Sequence, residues 1–201
     1  MMEEIKIYKN ITTSKKELGD IFVAWVAIAL VMVVATRGFS FGIIKGFVVS
    51  FLTVGISFII HEFAHKIIAQ KLGYQAEFRK FTPTIILSIF FAFLGVIFVA
   101  PGAVMVRGIG ISTSENGKIS VAGPLSNLIL GLMALASMIF VDSLFLKSVF
   151  FFVAFVNCMI GAFNMIPVWV LDGRKIYVWN KKIYFSVLTG FGFLYLIIKL
   201  L

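Results

Sequence analysis

Charge is what this chain lacks most: only 13% of its 201 residues are Asp, Glu, Lys or Arg, against 61% hydrophobic, and the mean hydropathy is +1.07. Soluble domains carry about 25% charged residues, so a water-soluble globular protein is excluded and a membrane protein indicated. Cysteine is nearly absent. Cys158 stands alone in an apolar run, so no internal disulfide can form and nothing follows about redox compartment. Internal repeats, low-complexity tracts, linkers and composition shifts are also missing, which predicts one domain over residues 1–201. At roughly 20 apolar residues per span, that length suits five or six spans and leaves no room for an accessory module of the PDZ or CBS kind.

The first twenty residues, MMEEIKIYKNITTSKKELGD, lack the apolar core of a cleavable leader. The first hydrophobic run is therefore expected to stay as an anchor. A net charge of +9 could suggest nucleic acid, but no basic cluster is interleaved with aromatics as strand binders require. Lysine and arginine gathered in cytoplasmic loops explain the charge better.

Apolar segments at 21–36, 43–65, 84–100, 119–141, 145–170 and 183–198 predict an all-α polytopic membrane protein with about six hydrophobic helices. The second segment continues as the amphipathic HKIIAQKLGY, with Gly73 as its C-cap. Between Pro101 and Ala122 the chain reads PGAVMVRGIGISTSENGKISVA, rich in glycine and β-branched residues. Asn116-Gly117 is a hairpin signal there, predicting strands at 103–112 and 118–122, with Gly123-Pro124 opening the next helix. About twelve residues of extended chain cover about 40 Å, enough to re-cross the bilayer after a helix at 84–100. That scheme puts fourteen of the eighteen lysines and arginines on one face. Arg37, Lys45, Lys147 and Lys199 fall on the other. Without the return the split would be ten to eight, so the first scheme, with a cytoplasmic N-terminus, agrees better with the positive-inside tendency.

Both histidines of the chain lie in Ile59–Ala69, IIHEFAHKIIA. HEFAH fits H-E-x-x-H: on a helix, His61 and His65 share a face and can grip one metal ion, with Glu62 beside them to take a proton from water. Ionisable groups within a membrane segment are costly and usually functional, which strengthens a short pattern. The bland alternative is a pair of hydrogen-bonded histidines at a helix end near Lys66. Catalytic zinc takes three protein ligands, so the third must be a carboxylate or the cysteine. Asp20, Glu77, Glu115 and Asp142 sit in polar or loop segments. Asp172 instead closes the apolar run FNMIPVWVLDG, and under the favoured topology it lies on the same face as the histidines. Its bland alternative is pairing with Arg174 or Lys175.

HEFAH followed by Asn164-x-x-Pro167-x-x-x-Leu171-Asp172-Gly173 resembles the site-2 protease family, zinc metalloproteases that cut substrates within the membrane. Ala122-Gly123-Pro124-Leu125-Ser126-Asn127 is similar to the glycine–asparagine signature of that family, and the three motifs occur in its order across residues 43 to 175. The resemblance implies one zinc ion on His61, His65 and Asp172, with Glu62 as general base and acid and a transmembrane protein as substrate. It also implies that Asn127 supports the substrate or the oxyanion, and that Asn164 acts similarly or orients the aspartate segment. In a span, either asparagine could equally join helices. Pro167 is expected to kink its helix. The chain departs from the family at Val170 and Arg174, where many members have proline and a second glycine; neither position is a ligand.

Proteolysis needs an extended backbone, and a strand edge beside the metal could supply it by pairing with the substrate. Ala103, Val104, Met105 and Val106 are the candidates, the alternative being a packing element. Two other classes compete with the protease: a membrane metal transporter or zinc-stabilised scaffold, and a catalytically inactive relative. A transporter carries polar groups along a path, whereas here they cluster at one depth. A purely structural zinc has no use for Glu62.

Overall fold

The computed structural model describes residues 4–8, 11–36, 42–97 and 99–201. Lys9 and Arg37 of the charge count, and residue 98 of the expected third span, lie outside the described residues. The chain divides into two compact units, residues 1–62 with 69–107 and residues 63–68 with 108–201.

The first unit opens with an antiparallel hairpin, β1 (Glu4–Tyr8) and β2 (Ile11–Ser14), that feeds α1 (Lys15–Ala35). The Ser14 hydroxyl caps α1 by accepting the Glu17 N–H at 3.2 Å. Helix α2 (Ile43–Ser50) runs through a π-helical turn, Phe51–Gly55, into α3 (Ile56–Lys71). A π turn leaves its carbonyls short of the usual partners, and the Trp25 indole N–H supplies one to Phe51 at 2.6 Å while its ring stacks on that phenylalanine. A Cβ at Gly55 would collide with the Trp25 ring. Helix α3 ends where expected, with Gly73 at φ +90° and the Tyr74 N–H closing on the Ala69 carbonyl.

Strand β3 (Gln75–Lys80) pairs antiparallel with β4 (Gly102–Arg107), from Gln75 opposite Arg107 to Lys80 opposite Gly102. Between them lies α4 (Thr82–Phe93), which Gly95 at φ +75° follows closely. Twelve residues of helix rise about 18 Å, well short of a hydrocarbon core of about 30 Å. The expected helical span at 84–100 is thus corrected to a shorter excursion. The Phe81 N–H donates to the Pro101 carbonyl at 2.8 Å, so the excursion leaves and returns at one point.

In the second unit α5 (Thr113–Ser137), continued by a 3₁₀ turn at Met138–Phe140, lies against α6 (Leu144–Asn164), α7 (Asp172–Trp179) and α8 (Lys181–Leu200). The expected hairpin at Asn116-Gly117 is overturned: both residues lie in the first turns of α5. Ser112 and Glu115 form a reciprocal capping box that starts the helix there. Gly117 is needed for closeness rather than turning, since a Cβ would strike the Trp179 ring. Pro124 is also inside α5, not in its first turn, and its missing N–H leaves one helical hydrogen bond unmade.

Helix α6 stops at Asn164, six residues before the expected end of that run, so Pro167 lies in a loop and kinks nothing. Cys158, Met165, Ile176, Phe191 and Leu194 form the buried core, with Gly161 against the Phe191 ring and Gly131 against Leu194. Such close approaches of small residues hold helices together where lipid removes the hydrophobic drive. Among the described residues, five helical segments, 15–35, 43–71, 113–140, 144–164 and 181–200, are long and apolar enough to cross a membrane. The protein is a helical polytopic membrane protein with two small antiparallel sheets, and the strand region expected near 103–122 is confined to β4 and its partner β3.

Candidate metal centre

Helix α3 carries His61, Glu62 and His65, and the i, i+4 spacing sets both imidazoles on one face. His61 is 2% exposed and His65 and Asp172 are 8% exposed each. Ligand atoms of these three residues all lie within 4.8 Å of one another.

The His65 ring is oriented from behind. Its Nδ1 lies 2.8 Å from the main-chain carbonyl of Ile119 on α5, an atom that can only accept, so Nδ1 carries a proton. In the neutral ring Nε2 then presents a lone pair, and it faces Oδ2 of Asp172 at 3.0 Å. The contact is favourable with either a proton or a metal ion shared between the two groups. The donor set, two imidazoles and one carboxylate, is that of a catalytic zinc site, and the carbonyl behind His65 is the usual outer partner of a zinc-bound histidine.

Asp172 is the first residue of α7 rather than the last of an apolar helix. A carboxylate is favoured there by the helix dipole. Gly173 explains how it comes so close: a Cβ at that position would collide with the main-chain carbonyl oxygen of Met165. The preceding loop is tight as well, with Trp169 at φ 52°, a region bulky residues rarely adopt. Lys175, one turn along, has its Nζ 3.9 Å from Asp172 Oδ1, the pairing weighed above as the alternative for this aspartate. At that length, with Lys175 39% exposed, the pair is worth little.

The carboxylate of Glu62 accepts the main-chain N–H of Val104 at 2.9 Å. Opposite Val104 in the ladder is Phe78, whose N–H goes to the buried carboxylate of Glu17 at 2.9 Å. Both N–H groups thus point away from the ladder, which makes Phe78–Val104 a non-hydrogen-bonded pair. Of the four candidate strand residues, Val104 and Val106 therefore direct their main-chain groups to the outer edge, and Ala103 and Met105 direct theirs to β3. Among the described residues no third strand pairs with that edge.

Both candidate asparagines make hydrogen bonds to helices. Asn127, fully buried, donates to Asn157 Oδ1 at 2.8 Å, and Asn157 in turn donates to the Val153 carbonyl at 2.9 Å, joining α5 to α6. Asn127 stands two helical turns beyond Ile119, about 12 Å along α5. Asn164, the last residue of α6, bonds its own helix at the Ile160 carbonyl. Sequence reasoning missed Asn157 and Glu17. A polar residue in the middle of FFFVAFVNCMIGAF was the available signal for the first; Glu17 looked like any residue of a charged N-terminus.

A membrane-embedded helix bearing H-E-x-x-H, completed by a buried aspartate, defines a zinc metalloprotease type of centre. The chain is 34% identical over 178 residues, 85% of its length and 88% of the relative's, to a protein of Methanocaldococcus jannaschii named "Putative zinc metalloprotease MJ0611". The chain belongs to the family of that zinc metalloprotease. No family model matches it, and no solved structure gives a significant match.

Proposed function

We propose that the chain is an intramembrane protease of the site-2 type, cutting transmembrane proteins at a zinc centre held by His61, His65 and Asp172. The observation that carries the reading is the burial of these three ligands together, with Glu62 next to the first of them in apolar helix α3. Zinc, when bound, would polarise the scissile carbonyl and acidify a water at the open ligand position.

The chain's own residues do the rest. The Ile119 carbonyl fixes the tautomer of His65, and the α7 N-terminus presents Asp172. Glu62 takes the proton of the attacking water and returns it to the leaving amine. The outer edge of β4, at Val104 and Val106, pairs with the substrate main chain and keeps it extended, because a helical substrate hides its peptide bonds in internal hydrogen bonds.

If the five candidate spans cross the membrane in alternation, the sequence again divides its lysines and arginines fourteen to four. That division supports a cytoplasmic N-terminus, with the site opening toward the cytoplasmic face of the cell membrane. Purified protein should hold one zinc per chain and cleave single-span substrates. Glu62→Gln should keep the zinc and lose cleavage, and a fully active Glu62→Gln variant would refute the reading.

A further inference from the structure

Val104, like Val106, directs its N–H and C=O to the outer edge, and its N–H is already given to Glu62 at 2.9 Å. One N–H cannot make two full hydrogen bonds. A substrate strand that pairs at Val104 must therefore displace the Glu62 carboxylate, whose Oε2 is engaged by that N–H in this structure. We propose that this contact is a resting latch: pairing of the substrate main chain at Val104 releases Glu62, so the extended substrate switches on the base that cuts it. The latch rests on the function proposed above, since it matters only if Glu62 is the base and β4 the substrate edge.

The corresponding bond on the other side of the sheet shows what a permanent arrangement looks like. Phe78 donates to Glu17, which is fully buried, accepts the Thr13 hydroxyl at 2.7 Å through its other oxygen, and has its own N–H capped by Ser14. Val104 is only half-buried, and β4 has no further strand beside it among the described residues. One edge is tied down; the other ends on the residue that catalysis requires. The device would spare a hydrolytic centre from acting on whatever small amide diffuses in, because such a molecule cannot span the strand and so cannot open the latch.

Two measurements on the zinc-loaded, full-length protein test it. The first uses Val104→Pro, which removes the N–H where it points away from the ladder, a position that tolerates proline. It should cut a single-span substrate more slowly. A blocked dipeptide, too short to pair along β4, should be cut faster by on the order of tenfold, the equivalent of one charge-assisted hydrogen bond. The second is amide hydrogen exchange at Val104. It should be slow in the wild type, accelerate on the order of tenfold in Glu62→Ala, and slow again when single-span substrate is added to that variant.

Val104 exchange indifferent to Glu62→Ala overturns the latch. So does unchanged dipeptide cleavage in a Val104→Pro protein that melts at the wild-type temperature. If Val104→Pro does not fold, exchange alone decides. Failure of the underlying function has a different signature, Glu62→Gln cleaving both substrates at the wild-type rate, and the exchange result is independent of it.

Discussion

The imidazole of His65 is pinned between a main-chain carbonyl and a carboxylate, Ile119 at 2.8 Å from Nδ1 and Asp172 at 3.0 Å from Nε2. The first contact assigns a proton to Nδ1, and the second sets Nε2 where it can share a proton or a metal ion with the carboxylate.

Zinc should accordingly stabilise the fold. A ligand that binds only the native state adds about 2.7 kcal/mol at a hundred times its dissociation constant. Thermal unfolding of chelator-stripped protein should shift upward on adding zinc, with one ion bound per chain by elemental analysis. In Asp172→Asn the same addition should move the transition little, because the carboxylate that balances the ion's charge is gone.

Gly173→Ala should act on the metal without touching a ligand. The added methyl meets the Met165 carbonyl, so the first turn of α7 must move and carry Asp172 with it. Overpacking of this kind costs about 1–3 kcal/mol. The expected result is a lower melting temperature together with weaker zinc retention during dialysis against a chelator. A variant that melts lower but retains zinc like the wild type would show that α7 shifts as a unit without displacing its aspartate.

What could be read in the sequence followed from patterns that tertiary packing does not override. His61, Glu62 and His65 needed only the helical repeat, and the apolar runs needed only length. The errors arose where two local signals competed. Asn116-Gly117 is a strong hairpin pair, but Ser112 and Glu115 cap a helix just before it, and the interior of α5 gained from burying Gly117 against Trp179. The run 84–100 looked like a span because hydropathy does not register Gly95 as a stop. Asp172 does come beside the two histidines, but by a route the sequence did not show: it begins a helix after a loop, and its approach depends on Gly173 lacking a side chain. Pairings between distant residues, such as Glu17 with Phe78 or Asn127 with Asn157, leave no periodic trace and became visible only in three dimensions.

Glu17 should prove structural. It is fully buried and accepts from Phe78 N–H and the Thr13 hydroxyl, tying the β3 edge to α1 and β2. Glu17→Ala should cost about 1–3 kcal/mol for each buried donor left without its acceptor. Thermal unfolding would show the loss, and hydrogen exchange would locate it at Phe78. Glu17→Gln retains one carbonyl acceptor and should fall between the two.

Asn127 and Asn157 should behave as one unit. Their hydrogen bond joins α5 to α6 within the span, and such bonds between membrane helices are worth about 0.6 kcal/mol on average and up to about 1.7. A double-mutant cycle with Asn127→Ala and Asn157→Ala should return a coupling of that size, each single variant losing most of what the double variant loses. Kinetics then distinguish a helix-joining role from a part in the reaction. Removing an oxyanion donor costs about 10²–10³ in kcat, whereas a helix-joining bond predicts a smaller loss that is alike in the two single variants. The mutual bond and the distance of Asn127 along α5 from Ile119 favour the second outcome, so kcat should fall by less than about tenfold in both. A hundredfold loss confined to Asn127→Ala would instead return that residue to the reaction centre.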